Sequence, residues 1–292
     1  MEREQYLCLD VGGTQIKAAC VDARGGVSGK IRYFPARADE GAGCILDHFA
    51  DIIRKLWPSG TKLAGIRMAF PGPFDYGKGV CLMRGLGKYE HLYQISVRAG
   101  LSERLGVGQE DILFVNDAAA FALGEMGFGE AFGAARALFI CIGTGCGSAF
   151  GLDGKLAPAG TQGVPRSGYV YDAPFLEGCI DDYLSRRGLM ALTQEHLGTA
   201  LDGKALSQRV LQGDEAARQC FMAFGMRIRE ALSPFWDAFH PDVVCFGGQI
   251  TGSGALFLPP VEDACRGRAI RFYITQDTSL RTLQGLTRLC SQ

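Results

Sequence analysis

Residues 6–10 are a short apolar run, followed by Gly12, Gly13 and Thr14 and then by alternating apolar and other residues over 16–21. Such runs on either side of a glycine pair predict two strands joined by a tight turn. Gly25-Gly26 predicts the next turn and 30–34 a third strand. Over 42–56 the period changes: Ile45, Phe49, Ile52, Ile53 and Leu56 share one face of a helix, which Trp57-Pro58 ends. Strands return at 63–70, running into Pro71-Gly72-Pro73, and at 112–115, ending at Asn116-Asp117, with a helix predicted over 118–126.

A second strand, glycine turn and strand follow at 138–142, 143–147 and 148–152, closed by an Asp153-Gly154 hairpin turn. Gly213-Asp214 starts a long helix carrying Phe221, Phe224, Ile228, Leu232 and Phe235, with Pro241 as its stop. A strand over 243–246 runs into Gly247-Gly248, and 281–289 reads as a last helix. Strands alternating with helices predict an α/β protein. The repeated order near residues 10 and 143 suggests a duplication, hence two similar lobes facing one another across a cleft. The length of 292 residues suits two domains.

Composition narrows the function classes. Hydrophobic residues at 47% and charged residues at 21% are ordinary for a globular protein. A formal charge of -1 with no Lys/Arg block argues against nucleic acid or an anionic membrane as partner and favours a small molecule. The least charged run, 137–152, is too short for a bilayer and is broken by Gly143, Gly145 and Gly147. No charged-then-apolar leader precedes Tyr6, so no secretion signal is expected. The 11 cysteines are scattered and never spaced C-x-x-C, which fits reduced thiols in a cytoplasm better than a disulfide or zinc framework.

Four constellations carry chemistry. In the stretch Asp10-Val11-Gly12-Gly13-Thr14-Gln15-Ile16-Lys17, two glycines let backbone N–H groups converge on an anion and Thr14 adds a hydroxyl. A strand rather than a helix follows, which rules against a dinucleotide loop; a plain hairpin turn is the competing reading. Gly143-Thr144-Gly145-Cys146-Gly147 repeats the pattern. A triphosphate held between two lobes needs a clamp from each, so the pair weighs more than either turn alone. Asn116-Asp117 places a carboxylate between a strand and a helix. Either residue could be only a helix cap; alternatively Asp117 accepts the proton of an attacking hydroxyl during phosphoryl transfer, with magnesium at Asp10. Gly247-Gly248 leaves room for a flat group such as adenine, or marks only a tight turn.

Together these segments resemble the ROK family of repressors and sugar kinases, within the actin, hexokinase and Hsp70-like superfamily, over nearly the whole chain. Asp10 to Thr14 is similar to the family's first phosphate motif, Phe70-Pro71-Gly72-Pro73 to its sugar-side loop, and Asn116-Asp117-Ala118 with Gly124-Glu125 to its catalytic segment. Gly143-Thr144-Gly145 is similar to its second phosphate motif and Phe246-Gly247-Gly248 to its adenosine segment.

The resemblance implies two actin-like, ribonuclease H-like lobes, each a mixed five-stranded sheet with flanking helices. The first lobe would be 1–117, joined by a returning helix at about 280–292, and the second 118–279. It implies an ATP- and Mg2+-dependent sugar kinase with catalytic Asp117 and sugar contacts at Gly72 and Asn116. Nucleotide contacts would be Gly12, Gly13, Thr14, Lys17, Gly143, Thr144, Gly145, Gly247 and Gly248. A cytoplasmic homodimer is expected by the same resemblance, as is no DNA binding, since no helix-turn-helix precedes the first motif.

The chain departs from the family where an E-x-G-H segment and a cysteine cluster for zinc are usual. Here the region reads Gly163-Val164-Pro165-Arg166-Ser167-Gly168-Tyr169, then Gly178-Cys179-Ile180-Asp181. One cysteine cannot supply the four ligands of a structural zinc, so none is expected. Asp181 stands where the family's final glutamate would, and Arg166 either faces the sugar or lies on a solvated loop. A guanidinium only donates hydrogen bonds and suits an acidic or modified sugar better than glucose.

Overall fold

The computed structural model describes residues 4–57 and 63–289. The chain divides into two units, one reaching Gly129 and resuming at Ser279, the other running from Glu130 to Thr278.

The first unit contains β1 (Gln5–Val11), β2 (Gln15–Asp22), β3 (Val27–Pro35), α1 (Ala42–Leu56), β4 (Gly65–Phe70), the short pair β5 (Phe74–Asp75) and β6 (Val80–Cys81), α2 (Val97–Leu105), β7 (Ile112–Asn116) and α3 (Asp117–Phe128). Its five-stranded sheet has the order β3-β2-β1-β4-β7. The first three strands pair antiparallel, whereas β1, β4 and β7 run parallel. Every residue of β4 is buried, as expected of a parallel strand covered on both faces. The predicted face of α1 holds: Ile45, Phe49, Ile52 and Ile53 are buried, and the Phe49 ring meets Phe70 edge-on. Trp57 caps that helix, while Pro58, the other expected stop, lies outside the described residues.

The last helix, Thr278–Leu286, packs against α3. Gly124 and Gly285 make this crossing close, because a Cβ on either would collide with the facing backbone, of Arg281 and Ala120 respectively. Buried Glu125 pairs with Arg281 at 3.5 Å. These contacts hold α3 in the first unit, so the boundary falls after Gly129, not after Asp117 as the sequence suggests. The final helix also starts and stops three residues before the predicted 281–289.

The second unit contains β8 (Arg136–Ile142), β9 (Cys146–Leu152), β10 (Lys155–Leu156), the short pair β11 (Pro174–Phe175) and β12 (Gly178–Cys179), α4 (Ile180–Tyr183), α5 (Arg186–Leu197), α6 (Gly203–Leu211), α7 (Glu215–Phe239), β13 (Val243–Gly247), α8 (Gly254–Phe257), α9 (Pro259–Ala264) and β14 (Arg271–Ile274). The sheet order is β10-β9-β8-β13-β14, three strands antiparallel and three parallel. This repeats the first sheet strand for strand, which is the physical content of the suspected duplication. Asp153 and Gly154 are both left-handed, as the tight hairpin requires.

Helix α7 differs in detail from its prediction. Asp214 caps it by accepting the Ala217 amide. The helix then continues through Pro234 and ends on left-handed His240, one residue before the expected stop at Pro241. Proline inside a helix removes a backbone hydrogen bond at a cost of about 3 kcal/mol. Burial of Phe221, Phe224, Ile228, Leu232, Trp236 and Phe239 offsets it, at roughly 1.5–3 kcal/mol for each large side chain. Phe235, expected in the core, is only half-buried, and Trp236 takes the inward position. No described helix is long and apolar enough to cross a membrane.

Candidate active site

Strand register brings the first-unit candidates to one level. Asp10 on β1 faces Ala69 on β4, and Phe70 faces Asn116 on β7. The carboxyl ends of three parallel strands thus present Asp10, the loop containing Gly72, and Asn116-Asp117 side by side, where α/β sheets commonly bind ligands. The Gly12 to Thr14 turn leaves β1 at the same end, closed by Gly12 N–H donating to the Gln15 carbonyl at 3.0 Å. A Cβ at Gly12 would press on that carbonyl at 2.9 Å, which is why glycine stands there. Gly13 and Thr14 are exposed.

Asp117 begins α3 with Oδ1 accepting the Ala118 amide at 2.9 Å, and Oδ2 has no hydrogen-bond partner among the described residues. Its pKa is raised above the usual aspartate value, first by desolvation and then by the charge of Asp10; the Ala118 amide and Lys88 pull it down. Solvent reaches the residue, but protein atoms crowd it at longer range, so desolvation leads. The capping role that competes for Asp117 in the sequence belongs to Asn116, whose Oδ1 accepts the amides of Ala118 and Ala119 at 3.0 and 3.2 Å.

With its oxygen committed, Asn116 offers a ligand only its NH2 group, which donates to the Tyr76 hydroxyl at 3.3 Å. That hydroxyl donates to the Phe70 carbonyl at 3.0 Å and lies 3.4 Å from where a Gly72 Cβ would stand. Tyr76 therefore stands beside Gly72 and Asn116, the residues expected to meet the sugar, and the sequence pattern alone did not single it out. An aromatic group of Phe70, Phe74, Tyr76 and Phe114 supports this corner.

Lys17, expected among the nucleotide contacts, pairs with Asp10 at 3.0 Å. Magnesium is usually held by one or two carboxylates together with phosphate oxygens and water. Asp10, with its side chain 13% exposed, fits that role, and among the described residues no group of three or more His, Cys, Asp or Glu could hold a metal without a ligand's help.

In the second unit, the Gly143 to Gly147 turn lies between β8 and β9, with Gly143 N–H donating to the Gly145 carbonyl at 2.9 Å. Gly247 faces Cys141 across the parallel pair, so Gly247-Gly248 emerges beside this turn. Gly248 has φ +96, and a Cβ there would collide with Ile142. That tight approach fully accounts for its glycine, whereas a Cβ at Gly143 would meet nothing within 4 Å. Thr144 is exposed. Asp181 stands behind the turn: Oδ1 accepts the Cys146 amide at 2.6 Å, and Oδ2 accepts from Arg187 at 2.5 Å. Both oxygens are engaged, so Asp181 supports the turn. Arg166 is exposed on the loop before β11, with no hydrogen bond or ion pair among the described residues.

A family profile described as the ROK family matches residues 6–284. The chain is 26% identical over 261 residues to the N-acetylgalactosamine kinase AgaK of Shewanella sp. strain ANA-3, covering 84% of this chain and 82% of that one. It is 23% identical over 256 residues to the DNA-binding transcriptional repressor Mlc of Escherichia coli K12, covering 82% of this chain but only 62% of the repressor. Among solved structures, the ROK hexokinase of Thermus thermophilus superposes with a TM-score of 0.78 at 23% identity, covering 97% of this chain and 96% of that one. A ROK glucokinase of Streptomyces griseus in complex with glucose and AMPPNP gives 0.76 at 20% identity, covering 97% and 98%. With two mixed five-stranded sheets of equal order, the fold is the two-lobed actin-like one of these kinases, and the chain belongs to the ROK family.

Proposed function

We propose that the chain is an ATP- and Mg2+-dependent sugar kinase in which Asp117 is the general base. The observation that carries this reading is the Asp117 carboxylate: one oxygen is fixed by the Ala118 amide and the other has no partner among the described residues. Its pKa is raised toward that of a useful base. In the proposed reaction a sugar hydroxyl donates its hydrogen bond to Oδ2 and gives up its proton there. The hydroxyl oxygen forms a bond to the γ-phosphorus as the bond to the ADP oxygen breaks, and ADP leaves with that electron pair. With the Gly12 amide held by Gln15, the exposed Gly13 and Thr14 are the residues of this turn that would face the charge on the transferred group. Magnesium, when bound with the nucleotide at Asp10, neutralises phosphate charge.

The kinases among the relatives support the reaction class, and they span N-acetylgalactosamine, glucose and N-acetylglucosamine kinases. We assign Gly72, Asn116 and Tyr76 to the sugar. Gly143 to Gly145 with Gly247-Gly248 are assigned to the nucleotide. The expected preference for an acidic or modified sugar stays with Arg166, which is exposed and has no hydrogen bond or ion pair among the described residues. A cytoplasmic location is proposed from the scattered spacing of the cysteines, and a homodimer by family resemblance alone.

A second reading is a sugar-responsive regulator without turnover, favoured by the missing E-x-G-H segment and the similarity to Mlc. ADP release with MgATP over hexoses, N-acetylhexosamines and polyols separates the two. Asp117→Ala is expected to fold and to lower turnover by about two to four orders of magnitude. Near-normal turnover in that variant would reduce Asp117 to a structural residue, and sugar binding without any ADP release would favour the regulator.

A further inference from the structure

Of the two lysines at the first glycine turn, Lys17 is committed to Asp10 at 3.0 Å. Lys88 is half-exposed and has no hydrogen bond or ion pair among the described residues. Its stem lies against the turn, with Cδ 3.2 Å and Cβ 3.8 Å from where a Gly13 Cβ would stand. Its ammonium is two bonds beyond Cδ, and its charge is felt at Asp117.

The backbone that carries Lys88 is fixed on both sides. Before it, the Glu90 carboxylate accepts the amides of Gly85, Leu86 and Gly87 at 2.8, 2.5 and 2.9 Å. After it, Tyr89 is fully buried, donates its amide to the Ala38 carbonyl at 2.7 Å and its hydroxyl to the Gly12 carbonyl at 2.9 Å. Tyr89 adopts φ +54, a left-handed conformation that is costly for a bulky residue and that concentrates at functional sites. The chain thus accepts local strain to anchor this segment on the phosphate turn. An unpaired cation held on such a turn, beside the proposed base, has one chemical use that solvation would not require: to meet an anion.

We propose that Lys88 is a catalytic residue whose ammonium contacts the terminal phosphoryl group of the bound triphosphate. The inference rests on the kinase reading for its reaction but not for its binding test. Lys88 keeps its proton throughout; it faces the charge that develops on the phosphoryl oxygens as the bond to ADP breaks. A diphosphate, which lacks that group, gains nothing from Lys88.

The test compares binding of Mg-AMPPNP and Mg-ADP by calorimetry in the wild type, Lys88→Met and Lys88→Arg. Lys88→Met is expected to bind AMPPNP about tenfold or more weakly, with ADP affinity within about twofold of wild type, and to lower kcat by roughly 10²–10³-fold, the scale for losing one preorganised charge-stabilising donor. Lys88→Arg recovers part of both losses. Equal affinity of wild type and Lys88→Met for AMPPNP, or equal losses for AMPPNP and ADP, overturns the proposal and leaves Lys88 a packing stem over Gly13. A wild type that discriminates the two nucleotides through Lys88 yet releases no ADP with any sugar retains the Lys88 contact and removes the kinase reading. A wild type that binds neither nucleotide removes both.

Discussion

The two glycine turns stand at equivalent places in the strand order of the two units, each closed by a glycine amide on a nearby carbonyl, that of Gln15 in the first and of Gly145 in the second. The second is one residue shorter, since Val11 pairs with Ile16 but Ile142 with Cys146. They differ in what stands behind them. Behind Gly13 lies the stem of a lysine, and the Gly12 carbonyl receives a buried tyrosine hydroxyl. Behind Gly145 lies a carboxylate, that of Asp181, whose Oδ1 would be 2.7 Å from a Cβ there and which already takes the Cys146 amide. Arg187 balances that carboxylate. A glycine pattern along the chain therefore does not set a turn's charge preference; its neighbours in space do. The first turn has exposed residues and a lysine stem beside it, whereas beside the second an amide is already taken by an internal carboxylate. On the proposed kinase reading, the first turn suits a reacting phosphoryl group better than the second does.

The sharpest way to break this division is a pair of valine substitutions. Gly13→Val meets only the flexible Lys88 stem, so the fold should survive while kcat/KM falls about 10²-fold or more, the scale for misplacing a reacting group by an ångström. Gly143→Val enters open space and should act chiefly on the KM for ATP, about tenfold, or ~1.4 kcal/mol of binding. Steady-state kinetics with the true sugar decide it, and equal effects on kcat would abolish the distinction. Gly145→Val is a poorer probe because it must also displace Asp181.

Next in size is Asp181→Ala, which strips the Cys146 amide of its acceptor. Leaving such a group unsatisfied costs about 1–3 kcal/mol, so chemical denaturation should show lower stability while kcat changes less than about tenfold. A loss of kcat as deep as that of Asp117→Ala would make Asp181 part of the chemistry instead.

A third prediction concerns pH. The Asp117 pKa is raised above the usual aspartate value of 3.8, and the base must be ionised to act, so the acid limb of kcat/KM should fall at a pH above 3.8. Asp10 raises that pKa and Lys88 lowers it; Lys88→Met should therefore move the limb to still higher pH. A limb at or below the ordinary aspartate value would separate the limb from Asp117.

The smallest effect is on stability. Because the folded pKa of Asp117 exceeds the unfolded one, its ionisation disfavours the folded state, a cost that grows as pH rises through the unfolded value and is complete above the folded one. Asp117→Asn keeps an oxygen for the Ala118 amide and should unfold at a slightly higher temperature than wild type near pH 7, with the gain vanishing below about pH 4. A variant less stable than wild type at neutral pH would give Asp117 a structural role.

Much of the fold was legible because its signals are local. The alternation in β1 and β2, the face of α1, the Asp214 cap of α7 and the glycine turns each lie within one or two turns of chain. Short or amphipathically weak elements were not legible: α2 and β14, with four to nine residues each, borrow their stability from packing rather than periodicity. Pro234 misleads for the same reason in reverse, since a local rule against proline yields to a buried helix face.

Read along the chain alone, the residues specify the α/β alternation and the repeated strand order and nominate Asp10, Asp117 and the glycine turns as candidates, because covalent neighbours and short-range geometry suffice for that. Only the tertiary structure decided which charges face which turn. Tyr89 reaches Gly12 from 77 residues away and Cys146 meets Asp181 across 35; Lys88 approaches Gly13, and Lys17 is withdrawn by Asp10. Such pairings depend on where strands end and loops return, and an electrostatic environment is a sum over neighbours in space, which no window along the chain contains.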